Sequence, residues 1–261
     1  METMSEREQL IEQWHASEEY AQLCEHFAGE CLRLSETAQQ LVLRIPELIV
    51  FSEENTVRRE LAGGARFTHH GVYCPSPIFD LLVGNARRGR LLKRPTILSK
   101  PTHEYGFDAN GRLLWCKDPQ RQTIEYLVYE NDRIYGLILS RENKLGTLTE
   151  EVYENGKLVT YNIAQFLFNI CDCNELYTEC YQHDSLGLCA AQVHQFMAPL
   201  SYAAKFGDSD TWAATKKAHY FCQARLQFER KNGFLSGYRM FPTIGDGPAS
   251  DLYPIRIQRK A

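Results

Sequence analysis

The sequence predicts an α+β protein, with a helical N-terminal segment packed on a predominantly antiparallel β-sheet built from hairpin repeats. Three observations carry this. Apolar residues recur at three- to four-residue steps through residues 1–50. The chain beyond residue 66 is rich in Tyr, Val, Ile, Leu and Thr, which fit a pleated, half-buried surface. Between Glu104 and Phe166 one phrase recurs as FDANGRLL, YENDRIYG and YENGKLVT: an aromatic residue, an acid, an Asn-containing turn, a base, then apolar residues. Residues 1–50 are therefore read as a helical segment, and 66–261 as one continuous β-repeat unit.

In the helical part, Ser5 to Glu8 fits a capping box: a Ser hydroxyl accepts a backbone N–H and a Glu three residues on reaches back. Leu10, Trp14, Ala21, Cys24, Phe27, Cys31 and Leu34 follow at helical spacing, with a polar gap near Ser17. Ser35 is expected to cap a second helix, Glu36 to Arg44, with Pro46 close to its end. Residues 52–66 are charged and end in Ala62-Gly63-Gly64-Ala65, which reads as a loop.

Arg66 to Cys74 and Phe79 to Val83 are expected as strands separated by Pro75-Ser76-Pro77, with Gly84-Asn85 as a turn. Arg87, Arg88, Arg90, Lys93 and Arg94 place charge on both faces of an extended chain, so at least one face there meets water. From 104 to 166 each Asn turn joins two strands, because Asn, Asp and Gly accept the positive φ that tight hairpin turns need. Asp118-Pro119 and Glu142 to Gly146 read as the turns between units. Leu113 and Trp115 are assigned to one face and Leu114 and Cys116 to the other, so the sheet is covered on both sides or curls. Ala190 to Met197 is expected as a short helix, and Asn232-Gly233 as a hairpin turn. Gly245 to Pro248 is expected as a further turn, and IRIQRK as a charged edge strand.

The residues after the turn Asn are Gly111, Asp132 and Gly156, at steps of 21 and 24, which is two strands per unit. The segment YGFDANGRLLWCKDPQRQTIEYLVYEND resembles the tyrosine–aspartate (YD, or Rhs-type) repeat: an aromatic-x-aromatic-Asp, a Gly-Arg-Leu, an Asp-Pro turn and a second aromatic strand. The match runs from Tyr105 to Tyr161, about a fifth of the chain. Glu replaces Asp in YEND and YENG, and YEND lacks the Gly. Long YD arrays curl into shells around toxins. This chain has at most about six or seven units, too few for a shell.

A formal net charge of -4 and a pI near 6.1 argue against a general nucleic-acid binder. No apolar run is long enough to span a bilayer, and the polar start METMSEREQL predicts no signal peptide. Nine scattered Cys without an export signal read as reduced thiols in the cytoplasm. Phosphate loops and dinucleotide fingerprints are absent, so no cofactor is expected. His69, His70 and Cys74, and Cys171, Cys173, Cys180 and His183, lack zinc spacing, so no metal is expected. No nucleophile–base motif is recognisable, and no catalytic residue is assigned.

The later units carry Glu150, Glu151, Glu154, Glu175 and Glu179. Read as one acidic face, they would steer a basic protein partner. Short bacterial repeat proteins of this type resemble immunity or antitoxin partners. The resemblance and the charge together give a non-catalytic inhibitor of a toxin or effector domain, of undetermined oligomeric state, as the first expectation. The alternatives are an enzyme with a pocket near His69, His70 and Cys74, gaining if these converge with a carboxylate, or a self-assembling β-scaffold.

Overall fold

The computed structural model describes residues 6–66, 69–83, 86–94, 99–166, 172–197, 220–241 and 253–260. It is an α+β protein with a short helical N-terminal part and thirteen antiparallel strands among these residues. None of the described helices is long and apolar enough to cross a membrane. Ser5, Gly84-Asn85, Cys171 and the Gly245–Pro248 turn lie outside the described residues. The chain divides into two compact units, residues 34–172 and residues 1–33 with 173–261.

Three helices open the chain: α1 (Glu6–His15), α2 (Glu18–Val42) and α3 (Ile45–Asn55). The polar gap at Ser17 is the break between the first two, where its hydroxyl accepts the Tyr20 N–H at 3.1 Å. Ser35 is not a cap. It lies buried inside α2, and the chain turns instead at Leu43-Arg44, with Pro46 in the first turn of α3 rather than near a helix end.

In the 34–172 unit the strands are β1 (Arg58–Gly63), β2 (Arg90–Leu91), β3 (His103–Phe107), β4 (Leu113–Asp118), β5 (Thr123–Glu130), β6 (Arg133–Leu139), β7 (Leu145–Glu154) and β8 (Lys157–Phe166). Their order is β8-β7-β6-β5-β4-β3-β1-β2, so β1 occupies part of the expected 52–66 loop and closes the meander beside β3. The turn residues Asn131 and Asn155 take positive φ, 48° and 50°, as the hairpin reading requires.

Ala62, Tyr105, Phe107, Leu113, Cys116 and Leu127 form a core on one face, closed by Val72 and Tyr73 from the segment after β1. On the other face the Trp115 indole donates to Thr56 at the end of α3, at 2.9 Å. The sheet of this unit is thus covered on both sides. Leu113 shares a face with Cys116 rather than with Trp115, because the β3–β4 register shifts at Gly106/Phe107 and a bulge at Leu114 resets the alternation.

Two expected strands in the covering segment are not present among its described residues. Gly71–Tyr73 is a 3₁₀ turn, because His70 and Gly71 both adopt left-handed φ, 57° and 52°. Phe79–Leu82 is a single helical turn, α4, whose start is capped by Ser76 Oγ accepting the Ile78 and Phe79 N–H groups at 3.2 and 2.8 Å. Arg87, Arg90, Lys93 and Arg94 are exposed, as expected, while Arg88 turns inward to Asp80 at 3.0 Å.

The other unit holds β9 (Cys173–Asp184), β10 (Gly187–Met197), β11 (Tyr220–Lys231), β12 (Phe234–Phe241) and β13 (Tyr253–Lys260), in the order β13-β12-β11-β10-β9. The expected helix at Ala190 to Met197 is instead a strand paired on both sides; tertiary pairing overrides the local preference. Asn232 and Gly233 make the expected hairpin turn, and β13 is an edge strand. The N-terminal half of α2 lies on β10 in this unit, with the Phe27 ring tilted 5.0 Å from His194 and stacked 6.4 Å from Phe196.

Candidate ligand site

The 34–172 unit contains a cavity of about 220 Å³ beneath the segment that follows β1. His69 and His70 come from that segment, His103 from β3, Asp118 and Arg121 from the β4–β5 turn, and Glu125 from β5. Thr123, Ser140 and Thr147 add hydroxyls, and Cys116 and Ile138 add an apolar wall.

The site rests on a glycine. Gly136 on β6 is the register partner of Leu127 on β5 and Thr149 on β7. A side chain there would collide with the Glu125 carboxylate and the Thr149 hydroxyl, which fill the space and bond to each other at 3.2 Å. Glu125 is thereby buried with its oxygens aimed at the covering segment. There His70 meets it twice: ring Nε2 lies 2.7 Å from Oε1, and the backbone N–H donates to Oε2 at 3.2 Å. Glu151 stands on the far side, with Oε1 3.6 Å from His70 Nδ1. These contacts hold His70 in its left-handed conformation, which costs a non-glycine residue about 1–2 kcal/mol.

Burial opposes charge on His70, but the Glu125 charge beside it, aided by Glu151, outweighs it and raises the imidazole pKa. Burial likewise acts against the Glu125 carboxylate, yet His70 outweighs it and lowers its pKa. Glu151 goes the other way: burial pushes it up against the pull of His70 and Tyr153. Burial drives His69 down to about 4 despite Glu125. Burial also lowers His103, against the opposing charge of Asp118. One imidazole whose pKa is raised by Glu125 thus stands beside two whose pKa is lowered by burial. Burial pushes the Cys116 thiol well up, so it is protonated at neutral pH.

Asp118 is fixed by its turn. Its Oδ1 accepts the Gln120 and Arg121 N–H groups at 2.9 and 3.0 Å. Its Oδ2 lies 3.9 Å from His103 Nε2 and 3.8 Å from Arg121 Nε, beyond direct hydrogen bonding. His103 stacks on Tyr105 at 6.1 Å, and its Nδ1 is enclosed without a hydrogen-bond partner among the described residues. The ionisable groups around the cavity are of mixed sign, His70 and Arg121 against Asp118 and Glu125.

Of the residues singled out from sequence, His69 and His70 enter this site. Cys74 does not line it: its thiol is buried elsewhere and its carbonyl accepts from Arg88 Nη1 at 2.7 Å. Four of the five carboxylates assigned to a partner-binding face lie inside the protein. Glu150 is fully buried, accepting from Arg133 at 2.5 Å and Asn162 at 2.8 Å. Glu151 is buried beside His70 and Tyr153. In the other unit Glu175 is buried against Gln195 at 2.8 Å, and Glu179 accepts from Tyr177 at 2.7 Å and from Tyr181. A carboxylate enclosed in this way has its charge spent on internal donors, so the five do not form one docking face. Glu154 alone of the five is exposed.

Among the described residues no group of three or more His, Cys, Asp or Glu could hold a metal ion. The sequence reading missed Glu125, His103, Asp118 and Arg121. Gly106 and Gly136, inside strongly apolar strands, were the available signal, since an interior strand glycine marks a close approach. No family model matches the chain, and no curated protein matches it.

Proposed function

We propose that the 34–172 unit binds a compact polar molecule of balanced charge, neutral or zwitterionic, and moves a proton on it. The observation that carries this reading is the convergence of three histidines, two carboxylates and one arginine on a single cavity of about 220 Å³. Arg121 offers a guanidinium to a carboxylate or carbonyl oxygen of the ligand. Asp118 Oδ2 offers an acceptor to an ammonium or hydroxyl next to it. A ligand N–H or O–H held there stands within reach of His103 Nε2, and His103, being neutral, can accept the proton. His70 is bound to Glu125 and serves to hold the covering segment rather than to exchange protons.

The protein-inhibitor reading rested on a family resemblance and on an acidic face, and the burial of Glu150, Glu151, Glu175 and Glu179 removes the second of these. The pocket reading keeps the YD-type hairpin array as its scaffold, supported by one turn for every two strands, and keeps a cytoplasmic setting.

The test is a thermal-shift and calorimetric screen of the full chain against α-amino acids, hydroxy acids, simple sugars and inorganic phosphate. A neutral or zwitterionic class should raise Tm and bind stoichiometrically. Asp118→Asn and Arg121→Ala should each weaken that binding at least tenfold with an unchanged far-UV spectrum, each removing a charge-assisted contact of about 1.5–3 kcal/mol. Binding to none of the panel, or binding indifferent to both substitutions, would overturn the reading.

A further inference from the structure

The unit formed by residues 1–33 and 173–261 carries a second chemical feature, independent of the cavity. α2 crosses β10 where Phe27 meets His194 and stacks on Phe196. One helical turn later Cys31 points to the same side and is buried. On the sheet, Phe196 and Met197 of β10 pair with Leu176 and Glu175 of β9, and Cys173 follows two residues beyond on the same strand. Cys173 is the first residue of β9, and there its thiol is in hydrogen-bond contact with that of Cys31. Cys173 Sγ also donates to the Glu175 carbonyl at 3.5 Å.

We propose that Cys31 and Cys173 are an oxidisable dithiol, a modification site at which a small disulfide closes a covalent link between α2 and β9. Cys173 is the more accessible of the two and reacts first. Its thiolate attacks one sulfur of the small disulfide and expels the other as a thiolate, leaving a mixed disulfide. The Cys31 thiolate then attacks the Cys173 sulfur and expels the second small thiolate. Two protein thiols and one disulfide become one protein disulfide and two small thiols, with both protons accepted by the leaving thiolates. The reaction is slow at neutral pH, because the Cys31 hydrogen bond and burial hold the Cys173 thiol well above its ordinary pKa. The link closes a loop of about 140 residues, so it restrains the unfolded chain strongly.

The experiment incubates the reduced full-length protein with glutathione disulfide, alkylates the remaining thiols, and maps non-reduced peptides. The expected product is a Cys31–Cys173 linked peptide, reversed by dithiothreitol. It should form roughly tenfold faster for each pH unit between 7 and 9, with a Tm rise of about 5 °C. In Cys31→Ser, checked for native circular dichroism, Cys173 should stop at the glutathione adduct; Cys173→Ser serves the same purpose if that variant does not fold. The proposal is overturned if no Cys31–Cys173 peptide forms while exposed thiols are modified. It is equally overturned if Cys173 links instead to Cys171, Cys24 or another cysteine.

Discussion

At the scale of single residues, the pair that organises the cavity unit is His70 with Glu125. Each shift has its own sign. The pKa of His70 is raised in the folded state, so its stabilisation is complete below its unfolded value near 6.5 and fades as pH rises through the folded pKa. The pKa of Glu125 is lowered, so its stabilisation is complete above about 4.5 and is lost as pH falls through the folded pKa. The pair is strongest between these limits. Glu125→Gln should therefore destabilise the protein by about 3 kcal/mol at pH 6, since it leaves His70 buried without its counter-charge. Urea denaturation measures the loss. Nitrogen-15 spectra of the imidazoles should show His70 protonated at pH 7 in the parent and neutral in the variant. A loss under about 0.5 kcal/mol with an unchanged His70 spectrum would mean that another contact holds the segment. None of this was legible in sequence, because 55 residues separate His70 from Glu125. Only the strand register and the empty place at Gly136 bring them together.

At the scale of elements, turns and strand interiors use glycine for different reasons, and the difference is measurable. Gly156 follows Asn155 in the β7–β8 turn at φ 73°, and an added methyl would meet nothing within 4 Å. Gly156→Ala should cost only left-handed backbone strain, about 1 kcal/mol. Gly106 lies opposite Trp115, whose indole covers it, and an added methyl would collide with that ring. Gly106→Ala should cost about 3 kcal/mol and shift the Trp fluorescence, because the indole must leave its bond to Thr56. Equal costs at the two sites would refute the distinction. The same contrast explains what the sequence disclosed. Asn-Gly and Asn-Asp turns are local signals, and the hairpins they predicted are present. Arg66 to Cys74 and Phe79 to Val83 have strand-like composition, but His70 to Tyr73 is shaped by Glu125 beneath His70 and Phe79 to Leu82 by the Ser76 hydroxyl, both invisible to local pattern. Ala190 to Met197 failed in the opposite direction, since pairing with β9 and β11 decides its state.

At the scale of the whole molecule, each compact unit holds a histidine that burial keeps neutral: His69 in one and His194 in the other, both lowered to about 4. Burial is the main cause at both, joined at His194 by the charge of His26. An unfolded chain binds a proton at each near pH 6.5, whereas the folded one resists until about pH 4, so stability present above 6.5 is lost as pH falls across that interval. The loss is about 3 kcal/mol for each group, a large part of the stability of an ordinary domain. His70 runs against this trend and loses its contribution on the alkaline side, so stability should peak near neutrality. Urea titrations at pH 7, 6 and 5 should show a steep fall that begins well above the carboxylate range. His194→Gln should shallow that fall by about 1 kcal/mol per pH unit below 6, whatever it does to stability at pH 7, because it removes one proton taken up on unfolding. An unchanged slope in the variant would mean that His194 already carries its proton in the folded protein, and would return the acid sensitivity to the buried carboxylates.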